Sequence, residues 1–271
     1  MEVKKGIYIL GIECYSDYLN FIYSRLTENE FRYLVNFIKN EYSLPFFINN
    51  LRSNTIVADY LLQEQYTPYH CSTSVYVKIE QSVEDKYMKL SKSVRQNLRT
   101  ALNRIRRDEL DYKLESRWKF SENDIVIVEK LLDLHKKCAD VKSRKNDTDI
   151  FHKFSRILMY KYFERNDIKY NIVKNSIMRM ENSFVYIAKI NNEVVGYLYG
   201  LKENKTIRIM QICLDMIFCF PMFRGCYDLV CSGCSKDNDN KRIETIDFTR
   251  GTEKYKYDLA GKELELHNYK R

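Results

Sequence analysis

Two hydrophobic periods alternate along the chain. In ENEFRYLVNFIKNEY, Phe31, Leu34, Val35 and Ile38 recur at helical spacing, and Thr27 with Glu30 ahead of them forms a capping box. LSKSVRQNLRTALNRIRRDE is the clearest helix: Val94, Leu98, Ala101 and Ile105 make one stripe, with Lys92, Arg95, Arg99 and Arg106 on an adjoining face. SENDIVIVEKLLDLHKKCADV, opened by Ser121 with Asp124 three residues on, and HKFSRILMYKYFERN are two further helices, joined by the polar KSRKNDTD. GIYILGI and TSVYVKI, nearer the N-terminus, are rich in β-branched and aromatic residues and predict strands.

From Asn182 the period shifts to two or to continuous apolar runs. SFVYIAKI, VVGYLYGL and TIRIMQICLDMIF are separated by turn signals at Asn191-Asn192 and Glu203-Asn204, which predicts a three-stranded antiparallel meander. Pro221 ends it, FRGCYDLVCSGCSKD predicts a loop entering a helix, and ETIDF predicts another strand. The fold class is therefore mixed α/β.

Composition narrows this picture. At 271 residues, with 8 Gly, 3 Pro and no Gly/Ser-rich linker, the chain predicts lobes joined without a spacer, here 1–85 and 86–271. A net charge of +8 favours anionic partners without selecting one. The N-terminus has no signal-peptide pattern, and IMQICLDMIFCFPMF, with Gln211 and Asp215, falls short of the ~18 apolar residues of a spanning helix. A cytoplasmic chain without a transmembrane segment is expected. Cys231 and Cys234 form CSGC, but the second pair that a structural zinc site commonly needs is missing, so reduced cysteines and no metal are expected.

Three places invite chemistry. The basic face around Arg95 and Arg99 reads as a solvated surface or as a seat for an anion gripped by guanidinium forks. His135 lies among Leu131, Leu132 and Leu134, first a core-edge histidine and second a general base. In IDFTRGTEKYKYDLAGKE, Gly251 lets the chain turn sharply with positive φ, returning Tyr255 and Lys256 toward a site. Asp247 closes the preceding strand, as a base or as a cap on the loop, and Lys256 reads as surface or as a charged group of the site.

The order strand–strand–strand–loop–helix–strand is similar to the core of GNAT acyltransferases. Asp247-Phe248-x-x-Gly251-x-Glu253-x-Tyr255-Lys256 resembles the C-terminal signature of the CelD/BcsL-like branch, often found among polysaccharide-biosynthesis genes. LSKSVRQNLRTALNRI resembles that branch's basic helix, SDYLNFI its Ser-Asp-Tyr element, and FVYIAKINNEVVGYL its hairpin. The resemblance implies a GNAT-like acyl-CoA N-acyltransferase fold with a shortened, partial second GNAT-like lobe at the N-terminus. It implies acetyl-CoA or another acyl-CoA as co-substrate, a sugar or small-molecule acceptor for N- or O-acylation, and no stable nucleic-acid partner. Arg224, Gly225, Cys226 and Tyr227 would meet the cofactor, Arg95, Arg99 and Tyr255 the substrate, and Lys256, Asp247 and His135 would serve catalysis. A backbone N–H for the oxyanion would lie around Asp215 to Cys219. Lys256 is also similar in place to a lysine of Fem-type peptidyltransferases, so an aminoacyl-tRNA-dependent transferase is one alternative. Tyr227 and Leu229 stand where such cofactor loops have small residues, and Asp228 would face a diphosphate. A non-catalytic binding module is thus the other alternative.

Overall fold

The structure, a computed structural model, describes residues 7–8, 27–41, 46–79, 83–145, 168–214 and 243–270. The SDYLNFI element, the HKFSRILMYKYFERN helix and the Arg224–Leu229 loop with CSGC lie outside the described residues. By contact the chain divides into two units. One gathers Met1–Tyr76, Thr249–Tyr257 and Gly261–Arg271, the other Val77–Phe248 and Asp258–Ala260.

The first unit holds β1 (Ile7–Tyr8), α1 (Glu28–Glu41), β2 (Phe46–Arg52), α2 (Ile56–Gln63), most of β3 (Thr67–Lys78) and β9 (Lys262–Lys270), with strand order β1-β2-β9-β3. β1 runs parallel to β2, and β9 is antiparallel to both β2 and β3. The expected capping box starts α1: Thr27 N–H donates to Glu30 Oε2 at 2.7 Å, and Glu30 N–H donates to Thr27 Oγ1. Thr55 caps α2 by accepting from Ala58 N–H. Phe31 and Val35, both on the predicted stripe, pack with Ile48, Leu51, Val57, Leu61 and Tyr269 into one core.

The second unit holds α3 (Val83–Lys89), α4 (Lys92–Arg107), β4 (Tyr112–Trp118), α5 (Ile125–Lys145), α6 (Ile168–Arg179), β5 (Ser183–Ile190), β6 (Glu193–Glu203), β7 (Thr206–Leu214) and the start of β8 (Thr245–Arg250). Strand order is β8-β7-β6-β5-β4; β4 to β7 are antiparallel neighbours, and β7 and β8 are parallel. The meander is as the pattern predicts. Asn191 and Asn192 have φ of 50° and 64°, the twin left-handed residues of a tight hairpin turn, and Asn204 follows at 53°. Val128, Leu131 and Leu132 of α5 and Tyr170 and Ile177 of α6 bury one sheet face with Val185, Ile187, Tyr197, Tyr199 and Cys213. The class is mixed α/β, as expected.

Two details of β7 prepare the site. Its parallel register with β8 covers only Thr206↔Thr245 to Arg208↔Asp247, whereas β7 continues to Leu214. Against β6, Gly200 pairs with Ile209 but Tyr199 pairs with Gln211, so Met210 is an extra residue, a β-bulge. Strict alternation would leave Ile209 and Gln211 on one face. The bulge breaks it and turns Gln211 and Cys213 to the face that carries Tyr197 and Tyr199.

Gly200 fixes how closely the two strands approach beside that bulge. A Cβ there would lie 2.6 Å from the Arg208 carbonyl oxygen and 3.1 Å from Ile207 Cγ2. Backbone in a central strand yields poorly, so Gly200→Ala is expected to destabilise the chain by about 2 kcal/mol, read as a lower denaturant midpoint at unchanged slope.

Candidate functional site

α5 presents Val128, Leu131 and Leu132 to the sheet, and His135 follows one turn on. Its Nδ1 lies 2.8 Å from Nε2 of Gln211, the residue the bulge has turned inward. Which partner donates depends on the amide orientation. With the amide N–H donating, Nδ1 accepts and the ring proton sits on Nε2. With the amide reversed, Nδ1–H donates to Oε1 and Nε2 carries the lone pair of a base. The ring of Tyr170 is 6.2 Å from the imidazole and that of Tyr197 is 6.5 Å away.

The polar atoms here are unevenly served. Tyr199, on the same face of β6, hydrogen-bonds the Ser176 hydroxyl; burial pushes its phenol up to about 12 against that bond. Tyr197 is wholly buried and its hydroxyl has no hydrogen-bond partner among the described residues; neither has Gln211 Oε1. Burial first, then the nearby Cys213, Tyr170 and Cys138, holds the Tyr197 phenol well above its ordinary value, so it stays protonated. Burying an unmatched polar atom costs about 1–3 kcal/mol, and two of them here adjoin a histidine.

The basic helix forms as predicted. Ser91 caps α4 by accepting from Val94 N–H, and Val94, Leu98, Ala101 and Ile105 are buried. The cations of the stripe divide into two kinds. Arg95 donates to the carbonyls of Leu90, at 2.7 Å, and Met88, and lies over the Tyr87 ring; Arg99 donates to the Tyr87 hydroxyl. These two tie α3 to α4. Lys92, Arg99 and Arg106 are exposed, and Arg95 is half-buried.

In the first unit the Gly251 turn is as expected, with φ of 108°. Just before it Thr249 has φ of 55°, an unfavourable conformation for a β-branched residue. The bend points the carbonyls of Thr249, Arg250 and Gly251 at one spot, and Lys256 of α7 (Lys254–Asp258) fills it. Its Nζ donates to Arg250 O at 2.8 Å and Gly251 O at 3.1 Å, lies 3.4 Å from Thr249 O and pairs with Glu253 at 2.8 Å. Lys256 is 2% exposed, so it is no surface lysine.

The sequence candidates thus fall into separate sets of contacts. His135 stands with Gln211 and two tyrosines; Arg95 and Arg99 stand with Tyr87; Lys256 stands inside its own turn, with Tyr255 half-buried beside it. Asp247 is buried in β8, in register with Arg208 of β7. Arg224, Gly225, Cys226 and Tyr227 lie outside the described residues, as do Asp215 to Cys219. Sequence reasoning missed Gln211 and Tyr197, because a bulge sets the face of the first and the second sits in an apolar run. Among the described residues no cluster of His, Cys, Asp and Glu could hold a metal, and no helix is long and apolar enough to cross a membrane.

No protein-family model matches the chain, and no curated protein matches it in sequence. In three dimensions it is similar to a conserved protein of unknown function from Bacteroides thetaiotaomicron VPI-5482, with a TM-score of 0.55 at 15% identity over 90% of this chain and 75% of the other. L-PGS from Bacillus licheniformis superposes with a TM-score of 0.54 at 8% identity, covering 90% of this chain and 73% of its own. The C-terminal domain of a putative lysylphosphatidylglycerol synthetase from Agrobacterium fabrum gives 0.52 at 8% identity, with the same coverage of both chains. At such identities the likeness is one of fold.

Two outcomes follow from the ties just described. Lys256→Met leaves converging carbonyls without their cation and is expected to cost about 3–5 kcal/mol, measured by chemical denaturation; a change below about 1 kcal/mol would mean the clamp holds nothing. Arg95→Glu is expected to lower the melting temperature by several degrees through the lost carbonyl contacts, and Lys92→Glu, at an exposed position, by less than one degree.

Proposed function

We propose that the chain is a GNAT-type acyltransferase that moves an acyl group from an acyl-CoA, acetyl-CoA first, to a sugar or other small-metabolite acceptor, as its CelD/BcsL-like resemblance suggests. The observation that carries this reading is Gln211, turned inward by the Met210 bulge to within 2.8 Å of His135. Acyl transfer needs a base for the acceptor's proton, a donor for the oxyanion and a fixed approach of the two reactants.

With the Gln211 amide reversed so that Oε1 accepts from Nδ1–H, His135 takes the acceptor's proton through Nε2. The bulge draws backbone N–H groups of β7 out of the ladder, where they stabilise the oxyanion. The donor lies along β7 past its short register with β8, and its diphosphate goes to Arg224–Tyr227 by the resemblance. In this scheme Asp247, buried in β8, has no proton-transfer role, and Lys256 and Tyr255 serve the Gly251 turn of the first unit.

A second reading is favoured by two observations. Two of the structures similar in fold carry the names L-PGS and putative lysylphosphatidylglycerol synthetase, the latter a name that puts a lysyl group on a lipid. The exposed cations of α4, Lys92, Arg99, Arg104, Arg106 and Arg107, suit a polyanionic donor. Under that reading the donor is an aminoacyl-tRNA, as in Fem-type transferases. A non-catalytic module is the outcome if neither donor is used.

Transfer from radiolabelled acetyl-CoA and from a labelled aminoacyl-tRNA separates these readings. His135→Ala is expected to lower turnover by about 10²–10⁴-fold with little change in melting temperature. If acyl-CoA is the donor, transfer depends weakly on salt, and Lys92→Glu with Arg106→Glu leaves it within about twofold. A steep fall between 50 and 200 mM salt, of the order expected for several phosphate contacts, would instead assign the donor to tRNA.

A further inference from the structure

The flank of α4 that turns away from its buried stripe carries charge the fold does not use. Lys92, Arg99 and Arg106 are exposed and follow one another at intervals of seven residues, with no acidic residue between Ser91 and Arg107. Seven residues are close to two helical turns, so the three stand in one row with a drift of only ~20° at each step. Among the described residues none of the three is in an ion pair. Elsewhere in the same unit cations find carboxylates: Arg107 holds Asp108, Lys113 holds Asp111, Arg117 holds Asp124, Lys174 holds Glu129 and Lys189 holds Glu115. The row on α4 is left for a partner outside the chain.

Its spacing says what shape of partner. At 1.5 Å per residue the row steps by about 10 Å and runs about 20 Å from Lys92 to Arg106. Arg95, in the gap between Lys92 and Arg99, is half-buried and tied to the Leu90 and Met88 carbonyls, so it does not fill the row. One compact anion meets at most a neighbouring pair of these cations. An array of anions meets all three.

The end of α3 says which array. Tyr87 accepts from Arg99 Nε at 3.0 Å and lies under Arg95, whose Nη1 is 3.3 Å from the Met88 carbonyl oxygen. Met88 is 70% exposed and is followed by the exposed Lys89. A lone exposed methionine is ordinary by itself; its meaning here is its place at the head of a row of cations. A nucleic-acid strand draws on open aromatic faces for its bases, and Tyr87, the aromatic ring at this flank, is half-buried with Arg95 over it. A lipid surface takes cations at its headgroups and an apolar side chain just below them. The neighbouring acids sit at the two ends. Glu84 and Asp85 occupy the first turn of α3, about one turn before Met88, while Asp108, paired with Arg107, and Glu109 follow α4. They border the patch without entering the row.

We propose that this flank of α3 and α4 docks the chain on an anionic lipid surface, with Lys92, Arg99 and Arg106 at the headgroups and Met88 inserted beside them. The contact is peripheral and salt-dependent, since no described helix is long and apolar enough to cross a bilayer and the attraction is mostly charge. It does not rest on the acyl-transfer reading, and it involves neither His135 nor Gln211.

Co-sedimentation of the full chain with vesicles tests this. One set is pure phosphatidylcholine, and the other holds about one third phosphatidylglycerol. The chain is expected to pellet with the anionic set at low salt and with neither set at about 1 M salt, where the screening length falls to ~3 Å. Lys92→Gln with Arg106→Gln is expected to weaken partition about fivefold for each cation removed. Met88→Ser is expected to weaken it about threefold or more, at an unchanged melting temperature. All three positions are exposed, so the loss reads out contact and not folding. Failure to pellet with the anionic set overturns the proposal, and so does binding that neither change weakens. Sensitivity to the cations without sensitivity to Met88 also overturns it, because charge alone gives no reason to choose lipid. A band shift of bulk tRNA that the same double variant abolishes would then give the flank to nucleic acid.

Discussion

A single buried ammonium closes the C-terminal part of the first unit. Lys256 Nζ has three protons and four acceptors within reach: the carbonyls of Thr249, Arg250 and Gly251, and the Glu253 carboxylate. Those carbonyls converge because Thr249 and Gly251 adopt positive φ, which for a threonine costs on the order of 1–3 kcal/mol. Turn and lysine are mutually dependent, since without the bend the cation is buried among nothing and without the cation the carbonyls repel. The same segment leads into β9. Gly261 N–H donates to Lys256 O, and a Cβ at Gly261 would fall 2.5 Å from that oxygen and 2.4 Å from Val75 Cγ1. The glycines of this stretch sit where the chain passes too close to itself for a side chain.

The second unit obeys a different constraint, on which face of β7 a residue shows. Two strands of strict alternation would have buried an apolar side chain opposite α5. The Met210 bulge puts an amide there instead, beside a histidine and a phenol that the surrounding core leaves unmatched. On the same face Tyr199 is paired with Ser176 and Ser183 with the Ile177 carbonyl. Tyr197 and Gln211 are two of seven residues with an unmatched buried side-chain polar atom among the described residues, and the two that stand by His135.

What the sequence makes legible is what short-range physics sets. The stripe of α4, the capping boxes at Thr27 and Ser121, the asparagine turns and the positive φ of Gly251 all follow from residues within a few positions of one another. Register is a long-range property, and it decides the rest. Nothing local says that β9 inserts between β2 and β3, which places the last strand of the chain in the first unit. Nor does a run such as TIRIMQICL reveal its extra residue, so Gln211 read as an interruption in an apolar run when it is the partner of His135. Lys256 shows the same limit: a lysine next to a glycine turn reads as exposed or catalytic, and only the fold shows three carbonyls around it.

The charge pattern of α4 also changes meaning once side chains are placed. A stripe of cations looks like one anion-binding surface, yet its members have different tasks. Arg95 ends in backbone carbonyls that terminate α3, and Arg99 ends on a phenol of the same helix. A guanidinium spent on such contacts is oriented along the protein and offers a ligand less of its fork. Outward charge remains along the stripe at Lys92, Arg99 and Arg106, which are all exposed, while Arg95 is half-buried. A helix with this much exposed positive charge carries a field that favours any approaching anion.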